Sequence, residues 1–168
     1  MAFKQIDIRQ WKESAVKAIS DDWALVTAGT PDAYNTMTVS WGGIGEIWGK
    51  DAAFVFIRRS RYTMQFVEGN DRFTICFFAP AYKKALAFCG SKSGRDFDKA
   101  AETGLTPAFD ARAPYFKEAS VVLQCRKMAK YELSPDGFLD TAIADNYANG
   151  DYHRMFIGEI ESVLVRED

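Results

Sequence analysis

The sequence has 168 residues, of which 48% are hydrophobic and 14% aromatic, with a formal net charge of -2. Such a chain is long enough for one domain with a proper hydrophobic core, and its composition excludes an intrinsically disordered protein. The near-neutral charge argues against general nucleic-acid or membrane-surface binding, so local basic clusters are expected to answer local anions.

From the N-terminus, residues 6–19 carry Ile8, Trp11, Ala15, Ala18 and Ile19 on one face and Arg9, Lys12 and Glu13 opposite, which predicts a helix. Residues 23–28 read as a buried strand, followed by a turn at Gly29-Thr30-Pro31-Asp32. The next stretch, Asn35-Thr36-Met37-Thr38-Val39-Ser40-Trp41, alternates with period two. Met37 and Val39 fall on one face and Thr36, Thr38 and Ser40 on the other, predicting a half-buried strand that hairpins with its predecessor. Gly42-Gly43-Ile44-Gly45 reads as a flexible corner. The apolar run Ala53-Phe54-Val55-Phe56-Ile57 predicts a strand, and Tyr62, Phe66 and Val67 space as a short helix that Gly69 ends.

A strand over 72–78 follows, with Phe73, Ile75 and Phe77 on one face. Two helices are predicted next, at 82–88 and at 93–102, the second capped by Ser93 with Asp96 and stopped by Gly104. Residues 119–133 are rich in strand formers and end at the turn Ser134-Pro135-Asp136-Gly137. After a polar segment over 142–150, residues 152–165 form the last strand. Strands joined mostly by turns, with short helices between, predict a single mainly β domain: an antiparallel barrel decorated with helices. No G-x-G-x-x-G follows the first strand, so a dinucleotide fold has no support.

No run approaches the length of a transmembrane helix, and the first residues lack a signal peptide's apolar segment, which makes cytoplasmic the expected location. Cys76, Cys89 and Cys125 are odd in number and widely spaced, and His153 is the single histidine. Neither a disulfide framework nor a zinc site is expected, only buried free thiols. Cys89 adjoins a basic segment and is expected to be the most reactive of the three.

Polar clusters sit at the strand ends. Arg58-Arg59-Ser60-Arg61-Tyr62-Thr63 places three arginines and an N-capping serine at a helix start, where an anion would answer both the arginines and the free N–H groups. A solvated arginine cluster at a surface turn is the plainer alternative. Cys89-Gly90-Ser91-Lys92-Ser93-Gly94 offers small residues and one lysine, but not the P-loop frame. His153 could donate a hydrogen bond to an electron-rich ring or carbonyl. Trp41, Tyr62, Tyr82 and Phe116 could wall a planar group or simply fill a core. No nucleophile–base pair or carboxylate pair is readable, so an enzyme here would rely on a bound cofactor.

Four segments together resemble the flavin reductase-like proteins with an FMN-binding split β-barrel, most closely the flavoredoxin-like branch. They are residues 35–42, 58–63, 88–96 and 153–160, and their order and spacing cover roughly residues 20 to 165. Arg59 stands where the family more often has a proline or small residue. The resemblance implies a homodimer holding FMN non-covalently near the subunit interface. Asn35, Thr36, Met37, Thr38 and Trp41 would face the isoalloxazine and ribityl chain. Arg58, Ser60, Tyr62 and Thr63 would surround the phosphate, Ser91 and Lys92 would close the pocket, and His153 would lie near the ring.

The implied activity is electron transfer from NADH, NADPH or a protein donor through FMN to a small acceptor, free flavin or an electron-transfer partner, with Lys92 or His153 tuning the flavin. A non-enzymatic FMN electron carrier or flavin-binding module is the alternative, and a haem- or pyridoxal-phosphate-binding barrel relative a third. No nucleic acid, membrane or metal is expected.

Overall fold

The computed structural model describes residues 2–167. Its strands are β1 (Phe3–Ile6), β2 (Ala24–Gly29), β3 (Tyr34–Val39), β4 (Gly42–Ile47), β5 (Lys50–Arg58), β6 (Arg72–Phe77), β7 (Pro107–Ala108), β8 (Tyr115–Phe116), β9 (Val121–Glu132) and β10 (His153–Arg166). The α-helices are short: α1 (Ala15–Lys17), α2 (Thr63–Gly69), α3 (Lys83–Ser91) and α4 (Lys99–Thr103). Eight strands form one antiparallel sheet in the order β3-β2-β6-β9-β10-β5-β4, with β1 added to β10.

Strand alternation divides the interior into two layers. Ala24, Val26 and Ala28 of β2, Phe73, Ile75 and Phe77 of β6, and Val121, Leu123 and Cys125 of β9 face one core together with Met37, Val39, Val55 and Phe156. The intervening residues Leu25, Cys76 and Val122 face the other way, into a second core closed by Leu86 and Cys89 of α3, Ala100 of α4, and Tyr115 and Phe116 of β8. Both faces of β2 are covered, which is why it is almost wholly apolar, Thr27 apart. The sheet's remaining polar groups are satisfied inside: Thr74 Oγ1 donates to the Pro114 carbonyl (2.6 Å), and Gln124 Oε1 accepts from Ala113 N–H (3.0 Å).

The helix predicted over 6–19 does not form. Its apolar residues pack on the first core, but β1 pairs with β10 up to Ile6 opposite Val163. Asp7 then caps a single 3-10 turn at Ile8–Gln10, accepting from Arg9 N–H while Gln10 returns a bond to Asp7 N–H. Side-chain bonds to nearby backbone break a helix at its start, and a π-helical turn at Ala18–Asp22 ends the segment. The corner at Gly42–Ile47 is β4, an edge strand paired with β5. The helix expected from Ser93 begins only at Lys99. Asp98 accepts from Ala100 and Ala101 N–H, while Ser93 Oγ caps a local turn by accepting from Arg95 N–H. Gly104, at φ +71°, is the expected stop. No helix among the described residues is long and apolar enough to cross a membrane.

Candidate functional site

Where β3 ends, β5 ends and β10 begins, a groove of about 260 Å³ opens beside the sheet. Met37 and Phe56 supply apolar wall, Thr38 and Ser40 hydroxyls, Trp41 and His153 rings, and Arg58 and Arg61 positive charge. The β5–β10 register sets His153 directly opposite Arg58. Trp41, 44% exposed, lays its indole against the His153 ring at 4.9 Å between centroids and 43° between planes, leaving a flat aromatic surface open.

His153 is buried, and Tyr147 O–H lies 2.7 Å from its Nδ1. Burial, then the Arg58 charge, pushes the imidazole down to about 4, so it is neutral at pH 7. A phenol that donates to Nδ1 leaves the proton on Nε2, making that nitrogen a hydrogen-bond donor.

Outside the groove's lining, several polar side chains of β3 and of α2 are themselves buried. Asn35 Nδ2 donates to Thr63 Oγ1 (2.8 Å), tying β3 to the first residue of α2. Thr36 and Thr27 hydroxyls pair at 2.8 Å across β2 and β3. Asn35, Thr36 and Thr63 are therefore turned inward, while Met37, Thr38 and Trp41 line the groove. Thr38 Oγ1 donates to the Leu86 carbonyl, leaving its lone pairs free to accept.

The arginine cluster spreads in three directions. Arg58 donates to the carbonyls of Asp151 (2.8 Å) and Asn146 (3.0 Å) and lies over the Tyr147 ring. Arg59 alternates away to pair with Glu132. Arg61 turns under α3, donating to the Gly90 carbonyl (2.7 Å) and, at 3.4 Å, to that of Cys89. Ser60 does not cap α2, whose N-cap position is Tyr62; its N–H and hydroxyl donate instead to Asp151 Oδ1 (3.1 Å) and Oδ2 (2.5 Å). Tyr62 is half-buried under Arg95.

The Gly/Ser/Lys turn is shaped by packing. A Cβ on Gly94 would stand 2.1 Å from Asn35 Oδ1, and one on Gly90 would stand 3.2 Å from the Thr38 Cβ. Ser91 returns its hydroxyl to the Ala87 carbonyl, and Lys92 is exposed with its amine 5.6 Å from the Phe97 ring centre. Neither Ser91 nor Lys92 lines the groove. Cys89 is fully buried, as are Cys76 and Cys125, and its thiol is pushed up to about 11 by desolvation, so exposure does not set it apart from the other two.

Four residues important here went unremarked in the sequence or were named only in passing: Arg61, Lys99, Tyr147 and Asp151. Arg61 sits inside a motif already noticed, and Asp151 stands two residues before His153. Tyr147 lies in a segment without periodicity, and Lys99 reads as a solvated helix lysine, so no local signal marks either. A larger groove of about 650 Å³ lies between the N-terminal segment and α3, but it is mostly apolar and contains none of the motif residues.

A family model described as flavin reductase like domain matches residues 16–168. No curated protein matches the sequence. Solved structures do. The flavoredoxin of Desulfovibrio vulgaris (Miyazaki F) is 26% identical, with 86% of this chain and 69% of that one covered and a TM-score of 0.66. An FMN-binding domain of a flavin reductases-like enzyme from Shewanella baltica OS155 is 18% identical, with 98% and 77% covered and a TM-score of 0.70. The styrene monooxygenase flavin reductase from Pseudomonas putida S12 is 16% identical, with 87% and 80% covered and a TM-score of 0.64. The two more distant likenesses speak to the fold, a split β-barrel, and not to a substrate.

Proposed function

The chain belongs to the flavin reductase-like domain family, and on that footing we propose that it holds FMN non-covalently and passes electrons from a nicotinamide or protein donor to a small acceptor, free flavin or a protein. The observation that carries this reading is the groove itself. An exposed indole face, neighbouring hydroxyls and two guanidinium groups suit a planar ring with a polar chain and a terminal anion. A flavin supplies the redox chemistry when bound, and the protein's part is to bind, orient and exclude water.

Trp41, Met37 and Phe56 form the apolar walls. Thr38 and Ser40 accept or donate hydrogen bonds at the edge, and neutral His153 offers its Nε2 proton to a carbonyl or ring nitrogen without adding charge. Asn35, Thr36 and Thr63 tie β3 to β2 and α2. Ser60, Tyr62, Ser91 and Lys92 lie outside the groove's lining.

A groove of about 260 Å³ is smaller than the ~300–1,000 Å³ of a typical enclosed ligand site. A second copy of the chain would supply the missing wall, so we read the protein as a homodimer. A soluble location in the cytoplasm, with NADH or NADPH as donor, completes the reading.

The purified protein is expected to be yellow. Heat release followed by chromatography should give FMN, and FAD as the main species would overturn the assignment. Anaerobic mixing with NADH and NADPH should bleach the flavin with one of them. If only a chemical reductant bleaches it, the protein is an electron carrier rather than a reductase.

A further inference from the structure

One acidic residue, Asp151, is tied to all the basic groups of the groove. Its carboxylate accepts from Ser60 N–H at Oδ1 (3.1 Å) and from the Ser60 hydroxyl at Oδ2 (2.5 Å), and its backbone carbonyl accepts from Arg58 (2.8 Å). Burial lowers the pKa of Arg61 and of His153, and the Arg58 charge lowers that of His153 further. In both cases the Asp151 charge opposes the shift. Arg61 spends its donors on the carbonyls of Gly90 and Cys89, the second shared with Lys99. Among the described residues neither Arg58 nor Arg61 has a carboxylate within ion-pair distance.

A backbone N–H and a hydroxyl converging on one carboxylate is the way a small anion is held. Here the chain supplies that anion itself, and its hold is weak. Ser60 and Asn146 are exposed and Asp151 half-buried, so water competes for each bond. Between residues 145 and 152 only Tyr147 is buried, and a segment with so few buried contacts opens at low cost. Arg58 lines both the groove and a neighbouring hollow of about 370 Å³ walled by Asp145, Asn146, Asn149 and Asp151. An anionic group brought to Arg58 from the groove therefore meets this acidic segment as well as the guanidinium.

We propose that Asp151 is a built-in counter-anion that sets the selectivity of the groove. It holds donors that an anionic ligand needs, so such a ligand binds by displacing it and moving residues 145–152 outward, whereas a neutral ligand leaves it in place. This inference rests on the FMN reading above, which supplies the anionic ligand; riboflavin is its neutral counterpart.

The test titrates the full-length apoprotein with FMN and with riboflavin. Asp151→Asn keeps an oxygen for Ser60 N–H and removes the charge. FMN affinity is expected to rise about tenfold in this variant, with riboflavin within about threefold of wild type. The gain should shrink as salt is raised from about 0.01 to about 1 M, because half-exposed charges are screened; a merely structural role would not respond in this way. Asp151→Glu, which retains the charge, should leave the FMN preference within about threefold of wild type. In the wild-type protein FMN should speed amide exchange over residues 145–152, and riboflavin should not. An FMN preference that is unchanged or lowered in Asp151→Asn overturns the proposal. So does exchange over 145–152 that FMN slows or leaves alone, and that measurement decides by itself should Asp151→Asn not fold.

If the wild-type protein binds neither flavin, the FMN reading fails and inorganic phosphate becomes the probe. At constant ionic strength phosphate should raise the melting temperature of Asp151→Asn more than that of wild type. Equal shifts, none included, or a larger shift in wild type overturn the counter-anion.

Discussion

His153 shows how one side chain draws its chemistry from neighbours on other elements. Its ring lies between Trp41 and Tyr147 and across a strand pair from Arg58. Burial and the Arg58 charge hold its pKa down at about 4, against an ordinary 6.5. Between those two pH values the unfolded chain binds a proton that the folded chain refuses. Stability therefore rises with pH across that window, is complete above 6.5 and is lost as pH falls toward 4. The size of the effect is about 3 kcal/mol. Urea unfolding from pH 4 to 7 should show this slope, and His153→Gln should flatten it. An imidazole signal titrating near 6.5 in the folded protein would contradict the placement.

The same logic governs the serine and arginines around residue 60. Each has a local reading as an N-cap or anion ligand, yet Ser60 is claimed by Asp151 and Arg59 by Glu132, both remote in sequence.

At the scale of elements, two glycines mark where a neighbouring side chain leaves no room for a Cβ. Gly158, at a bulge between β9 and β10, would place a Cβ 2.8 Å from the Phe73 ring and 2.9 Å from the Cys125 Cβ. Overpacking of that kind costs about 1–3 kcal/mol, so Gly158→Ala should lower the urea midpoint without changing the slope. Gly94→Ala acts differently. Its Cβ would collide with Asn35 Oδ1 and push the 90–94 turn off β3, straining the Asn35–Thr63 bond that ties β3, whose end lines the groove, to α2. Ligand affinity should fall more than stability does. Unchanged flavin titration of Gly94→Ala would show that the turn does not support the site.

For the molecule as a whole, the sheet leaves β3 and β4 as its ends, and the groove lies near the end of β3. A site open on that side depends on a second chain in the proposed dimer, so ligand and assembly should be coupled. A ligand that binds only the folded dimer stabilises it by about 2.7 kcal/mol at a hundredfold excess over Kd. Sedimentation should give a dimer, and added FMN should raise the melting temperature by several degrees. A monomer indifferent to FMN would refute both the dimer and the coupling.

Much of this architecture is legible in the sequence because alternation is a local property. Period two marked which residues share a strand face, such as Phe73, Ile75 and Phe77 against the first core, and chain turns marked the hairpins. The N-terminal segment defeated that reading, since its helical spacing of apolar residues served packing onto a sheet while β1 was paired with β10. The motif residues of the groove could be found because four short polar clusters occur in a particular order, and the family resemblance they carry holds over residues 16–168. What each member does could not be read. Hydrogen-bond partners and burial are decided between residues far apart in the chain: Lys99 with Thr36, Ser60 with Asp151, Arg58 with Asn146, Asn35 with Thr63. Composition and periodicity determined that the protein is a mainly antiparallel β domain with polar strand ends. Only the tertiary structure decided which of those charges are answered within the chain and which are left for a ligand, because the cost of a buried charge depends on what stands beside it in space.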